Sequence, residues 1–160
     1  MISLVRYVGI DIGDSRTGLA VGDPETRLVS PLPVVDVPFA LRGGDALIEA
    51  IAREIERSVG TRPAPTLIFG LPFNMDGSEG PQAKKVRAIA DRIGARLATK
   101  PVFQDERLTT ADADWQMAGS GLSHKQKKMR RDGIAAATIL REYLANTLGP
   151  RRSSLDEREP

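Results

Sequence analysis

Apolar residues run almost without interruption from Leu4 to Ile12 (LVRYVGIDI). The run is rich in β-branched side chains and predicts a strand buried on both faces. Gly13 to Arg16 supply turn residues, and TGLAVG at 17–22 predicts a second short strand. Asp23-Pro24 punctuates the chain, and residues 27–37 predict a third strand. Pro31 and Pro33 place that strand at a sheet edge, because proline cannot donate to a central ladder. Three early strands joined by short turns read as an antiparallel meander.

The periodicity then lengthens. From Asp45 to Ser58, Leu47, Ile48, Ile51 and Ile55 recur at helical spacing, and Gly60 to Pro65 breaks the pattern. TLIF at 66–69 predicts a buried strand, followed by the loop GLPFNMDGSEGP. Residues 82–98 put Val86, Ile89, Ala90, Ile93 and Leu97 on one helical face, and PVFQ at 101–104 predicts a fifth strand. Thr109 or Thr110 caps a short helix that ends before Gly119. Residues 119–121 (GSG) form a flexible break. The last helix starts at Lys125 or Arg131 and runs to Leu148, where Gly149-Pro150 ends it. Three strands followed by alternating units imply an α/β fold: a five-stranded mixed sheet flanked by helices. Residues 1–148 are expected to form one domain, and 149–160 a mixed-charge tail.

Composition narrows the chemistry. The 160 residues are 41% apolar with 4% aromatics, which suits an aliphatic core and not a disordered chain. With no cysteine, thiol nucleophiles, disulfides and thiolate zinc sites are excluded, and a single His124 excludes any two-histidine mechanism. No apolar run reaches the ~18 residues of a membrane span, and no signal-peptide pattern opens the sequence, so a cytoplasmic location is expected. Charge is unevenly spread. Residues 1–80 hold 7 Lys/Arg against 11 Asp/Glu, whereas residues 81–160 hold 16 against 10. A basic second half is one mark of a polyanion partner; its alternative is a solvated face.

Several acids stand where chemistry is done. Asp11 is a charge inside an otherwise apolar strand, so it must be solvated in a cleft, paired or bound to a cation. Asp105 and Glu106 follow the fifth strand, and ligands of α/β sheets gather at the carboxyl ends of strands. Neighbours on an extended chain point oppositely, so at most one of these two readily joins Asp11. Asp132 opens the last helix on its core-facing stripe; the alternative there is an acid serving the helix dipole. Three carboxylates converging at one sheet end, without His or Cys, suit Mg²⁺ or Mn²⁺, as in two-metal phosphodiester cleavage.

Basic residues lie beside these acids. Lys125, Lys127, Lys128, Arg130 and Arg131 form a run without an intervening acid directly before Asp132. Such a run repels itself unless a polyanion neutralises it, and next to the glycine break it is expected to be mobile until nucleic acid binds. Lys84, Lys85, Arg87, Arg92 and Arg96 stud the polar side of the earlier helix. Aromatics are too few for a stacking platform, so contact with the backbone is favoured over base reading.

Four motifs in order carry a resemblance. Gly9-Ile10-Asp11-Ile12-Gly13, Gly70-Leu71-Pro72 with Asn74-Met75-Asp76-Gly77, Asp105-Glu106-Arg107-Leu108-Thr109-Thr110, and Asp132 before an Ala-rich helix resemble the bacterial YqgF (RuvX-type) pre-16S rRNA nuclease family. The resemblance spans about residues 5–148. It implies a ribonuclease H-like fold and Mg²⁺ or Mn²⁺, two ions bound together with substrate. It also implies a role in maturing the 5′ end of 16S rRNA. Its catalytic, metal-holding carboxylates fall on Asp11, Glu106 and Asp132.

The expectation is therefore a metal-dependent endonuclease on structured RNA. Arg107 contacts phosphate or else pairs with Asp105, and Asn74 orients substrate or else shapes a turn. Lys84 and the run from Lys125 to Arg131 track the backbone. Three rivals stand beside it. The first is a Holliday-junction resolvase acting on branched DNA, which should be a homodimer rather than a monomer. The second is an ATP-binding protein of the actin and sugar-kinase type, whose phosphate hairpin Asp11-Ile12-Gly13 and Arg16-Thr17-Gly18 resemble. The third is a non-catalytic ribosome-assembly module.

Overall fold

The computed structural model describes residues 5–106 and 121–149. Strands β1 (Tyr7–Ile12), β2 (Thr17–Gly22) and β3 (Val29–Pro31) form the antiparallel meander. A 3₁₀ turn at Leu41–Gly44 leads into α1 (Asp45–Val59). Then follow β4 (Thr66–Leu71), α2 (Pro81–Leu97), β5 (Val102–Asp105) and α3 (His124–Leu148). The sheet order is β3-β2-β1-β4-β5, with β4 parallel to β1 and β5 parallel to β4. This is the mixed five-stranded sheet that the element order implied. The short helix expected between 109 and 119 lies outside the described residues, as do residues 150–160.

Strand boundaries differ from the sequence reading; the first strand begins at Tyr7 and the fifth is Val102–Asp105. The third strand is only Val29–Pro31, not 27–37. Pro31 pairs with Ala20 at the edge and ends the ladder; the chain returns once, in a bridge between Val35 and Thr17. The fourth strand instead runs two residues past Phe69, because Gly70 and Leu71 stay paired with Gln104 and Asp105.

Strand alternation sorts β1 into two sets. Val8, Ile10 and Ile12 join Leu19, Leu67, Phe69 and Leu71 against α1 and α2, where Leu47, Ile51, Ile55, Val86 and Ile93 are buried. Each large aliphatic buried there contributes about 1.5–3 kcal/mol, so this face holds most of the hydrophobic stabilisation. The opposite face meets α3 through a smaller cluster of Ala20, Ile68, Ala136, Ala137, Ile139, Leu140 and Leu144. Here the helix comes almost backbone to backbone with the sheet. A Cβ on Gly9 would lie 2.6 Å from the Ala136 carbonyl oxygen, and one on Gly18 only 2.0 Å from that of Asp132. Real side chains cannot occupy such positions, so glycine at 9 and 18 is what lets α3 sit where it does.

Candidate active site

Asp11 stands on the α3 side of the sheet, opposite in alternation to Ile10 and Ile12. It is paired across the hairpin with Gly18, the residue directly beneath the Asp132 carbonyl. Glu106 follows β5, and its N–H donates to the Leu71 carbonyl oxygen at 3.2 Å, which extends the β4–β5 pairing by one step. Its carboxyl group lies over β4: a Cβ on Gly70 would be 3.0 Å from Glu106 Cδ. A side chain at 70 would block that path. Through it, the Glu106 carboxyl reaches across β4 and hydrogen-bonds the Asp11 carboxyl.

The pair is therefore strongly coupled. Burial pushes the Glu106 carboxyl from an ordinary 4.5 up to about 9, helped by its hydrogen bond to Asp11 and by the Asp11 charge. Burial raises Asp11 as well; the bond from Glu106 opposes the rise and the charge of Asp132 adds to it. At neutral pH Glu106 thus keeps its proton and donates a hydrogen bond to the Asp11 carboxyl group. Asp132 is close enough to repel Asp11, but its Oδ2 accepts from Arg16 Nε at 2.8 Å. Arg16 sits in the β1–β2 turn, where its carbonyl accepts from the Gly13 N–H at 2.9 Å.

Of the three expected carboxylates, two are in contact and the third is turned to a cation. Among the described residues, no three Asp, Glu or His side chains already form a coordination shell. The donor chemistry still fits a hard divalent cation: two buried carboxyls meet, and a third lies within electrostatic reach. Asp105 belongs to a separate pair. It repels Glu142 of α3, whose carboxyl is raised first by burial and then by that charge.

Asp132 does not open its helix. It lies more than two turns inside α3, which begins at His124, so it is not an acid serving the helix dipole. The basic run is helical. Lys125, Lys127, Lys128, Arg130 and Arg131 form the first turns of α3. A capping box fixes them: the Gln126 N–H donates to Ser123 Oγ at 3.2 Å and the Ser123 N–H donates to Gln126 Oε1 at 3.0 Å. Lys125 Nζ lies 3.8 Å from Asp36 Oδ2. The run adjoins the centre along the helix, since Asp132 directly follows Arg131.

The basic side of α2 is largely neutralised. Arg87 pairs with Glu79, Arg92 with Asp45, and Arg96 with Glu49 and Glu56, so α1 supplies most of the counter-charges. Lys84 lies exposed in the first turn of α2. Asn74 is committed to its own loop: Nδ2 donates to Ser78 Oγ at 3.0 Å, and its carbonyl oxygen accepts from the Gly77 N–H at 2.8 Å. In this conformation it shapes the turn. Arg107 lies outside the described residues. Arg16 and Gly18 are the residues that sequence reading did not assign to the site. The signal available for Arg16 was a lone cation in the turn that follows a buried acid.

The sheet order, α3 crossing one face and acids gathered at the carboxyl ends of β1 and β5 define a protein of the ribonuclease H-like class. Residues 5–146 match the family model described as "RuvX: Holliday junction resolvase", and the chain belongs to that family. A relative from Anaeromyxobacter sp. (strain Fw109-5), named "Putative pre-16S rRNA nuclease", is 40% identical over 88% of this chain and 96% of its own length. One of the same name from Dehalococcoides mccartyi is 37% identical over 87% of this chain and 97% of its own. Thermus thermophilus RuvC in complex with Holliday junction substrate shares the fold, with TM-score 0.51 and 14% identity over 91% of this chain and 96% of RuvC. The fowlpox virus Holliday junction resolvase does so with TM-score 0.52 and 12% identity over 89% and 99%. Among the described residues, no helix is long and apolar enough to cross a membrane.

Proposed function

We propose that this chain is a metal-dependent nuclease that cuts phosphodiester bonds in structured RNA, trimming the 5′ end of a 16S rRNA precursor. The observation that carries the reading is the meeting of the Asp11 and Glu106 carboxyls over Gly70, beside Asp132 at the carboxyl end of the sheet. Asp11, Glu106 and Asp132 would hold Mg²⁺ or Mn²⁺. When bound, such ions make a water acidic enough to attack at neutral pH and stabilise the leaving oxygen. The chain's own residues do the rest. Asp11, central in the sheet, faces both other acids. Glu106 would hold the ion as the ionised carboxylate, its proton passing to solvent. The five Lys/Arg side chains in the first turns of α3 would offset the repulsion between the acids and a phosphate backbone.

RNA is favoured over branched DNA by the names of relatives that share a third or more of their residues with this chain. The resolvase structures, at 12–14% identity, share only its fold. The test offers the full chain a precursor-rRNA leader and a four-way DNA junction in parallel, with Mg²⁺, with Mn²⁺ and with EDTA. Metal-dependent cleavage of the leader supports the reading. Cleavage of the junction alone moves the substrate to DNA, and full turnover in EDTA removes the metal mechanism.

A second outcome concerns the rim. Replacing Lys127 and Lys128 together with Gln should weaken RNA binding across sequences without moving the cleavage position. Each lost phosphate contact should reduce the slope of log K against log salt by about 0.7–0.9. Anisotropy titrations at several salt concentrations read both quantities. An unchanged slope would mean that these lysines are only solvated.

A further inference from the structure

We infer that Arg16 is the phosphate-positioning residue of this centre, held by Asp132 until a cation claims the Asp132 carboxylate. The inference rests on the proposed metal-dependent reading and extends it to a residue outside the acidic trio.

The geometry is specific. Arg16 Nε meets Asp132 Oδ2 at 2.8 Å, and the two side chains are 24% and 25% exposed, so the pair sits at the mouth of the site. The backbone at both ends is fixed. Arg16 closes the hairpin turn through Gly13, and the Asp132 carbonyl presses on Gly18. A change of partner therefore needs only side-chain rotation. Asp132 already feels Asp11, so a cation seated on Asp11 and Glu106 competes with Arg16 for the same carboxylate. The guanidinium that is released stays at the rim beside the cation. Its planar fork matches two phosphate oxygens. A brace between hairpin and helix is a weak reason for this arginine, because a part-exposed ion pair adds little stability.

The two roles predict different signs. With Arg16 removed, a centre short of one positive charge should bind a divalent cation more tightly and a phosphate backbone more weakly. Loss of a brace should loosen both. The experiment compares the full-length wild type with Arg16→Gln and Arg16→Lys. Mn²⁺ affinity is read by electron paramagnetic resonance without nucleic acid. Affinity for a labelled stem–loop RNA is read by anisotropy, once in EDTA and once with Ca²⁺. Arg16→Gln should bind Mn²⁺ roughly threefold to tenfold more tightly, as expected for losing a unit charge a few ångströms from a divalent ion. It should bind the RNA about tenfold more weakly in Ca²⁺, the loss of one charge-assisted hydrogen bond. In EDTA, where Asp132 keeps Arg16, the loss of RNA affinity should be clearly smaller than in Ca²⁺. Arg16→Lys keeps the charge without the fork and should restore wild-type Mn²⁺ affinity but only part of the RNA affinity.

Weaker Mn²⁺ binding in Arg16→Gln, or an equal RNA loss with and without Ca²⁺, would overturn the inference. If Arg16→Gln does not fold, the lysine variant decides: RNA affinity equal to wild type in Ca²⁺ would overturn it. Wild type that binds no Mn²⁺ would instead remove the metal-centre reading itself.

Discussion

Asp11→Asn is expected to abolish phosphodiester cleavage, by about three orders of magnitude or more, and to leave the metal-free fold at least as stable as wild type. Charge stabilisation by bound metal supplies several kcal/mol to such a reaction, and each 1.4 kcal/mol is about tenfold in rate. Asn keeps the size of Asp11 and can still bond to Glu106, but it removes a buried charge that Asp132 repels. Cleavage and thermal melting measured on one preparation separate lost chemistry from lost fold. A mutant that melts far below wild type in EDTA would make Asp11 structural.

The same pair sets the sign of a pH effect. Glu106 holds its proton up to about pH 9 when folded, but only to about 4.5 at its ordinary value. Between these limits the folded chain keeps a proton that the unfolded chain has released. The contribution of Glu106 to the stability of the metal-free protein is therefore full below about pH 4.5, declines towards pH 9 and is lost above it. Glu106→Gln should flatten that decline. Saturating Mg²⁺ should raise the melting temperature of wild type by binding only the folded site, and the rise should shrink in Asp11→Asn. An equal rise in both would place the metal elsewhere.

Gly18→Ala is expected to be the most damaging change to the fold outside the hydrophobic core. The added Cβ would fall 2.0 Å from the Asp132 carbonyl oxygen, and neither β2 nor α3 can yield by rotating a side chain. The helix must lift, which costs about 3 kcal/mol at the upper end of overpacking effects, or roughly 10 °C in melting temperature. It also carries Asp132 away from Asp11, so cleavage should fall even below the melting point. Gly22→Ala provides the contrast. Its nearest obstacles are side-chain atoms of Leu140 and Val29, at 2.9 and 3.3 Å, which can move. Equal losses in the two mutants would show that backbone contact is not what fixes α3.

Much of this architecture is written in local periodicity. Alternating and helical spacings placed the strands and helices in order, and an acid in an apolar strand marked Asp11 without reference to any neighbour. Those signals are short-range, because burial of one face repeats every two or every three to four residues. The choice between Asp105 and Glu106 was not local. Alternation allowed only one of them to meet Asp11, and the four-motif resemblance pointed to Glu106. The structure supplies the reason: Gly70, on another strand, leaves room for its carboxyl, while Asp105 faces Glu142. The basic residues divide in the same way. On α2 most of the arginines are cancelled by acids of α1, whereas the run on α3 directly precedes Asp132 in the same helix. Asp132 meets Arg16 across 116 residues of chain. The sequence by itself determined which residues carry charge and which face of each element is buried. Only the tertiary structure decided which charges meet, because the field at a carboxylate comes from groups a few ångströms away that belong to distant parts of the chain.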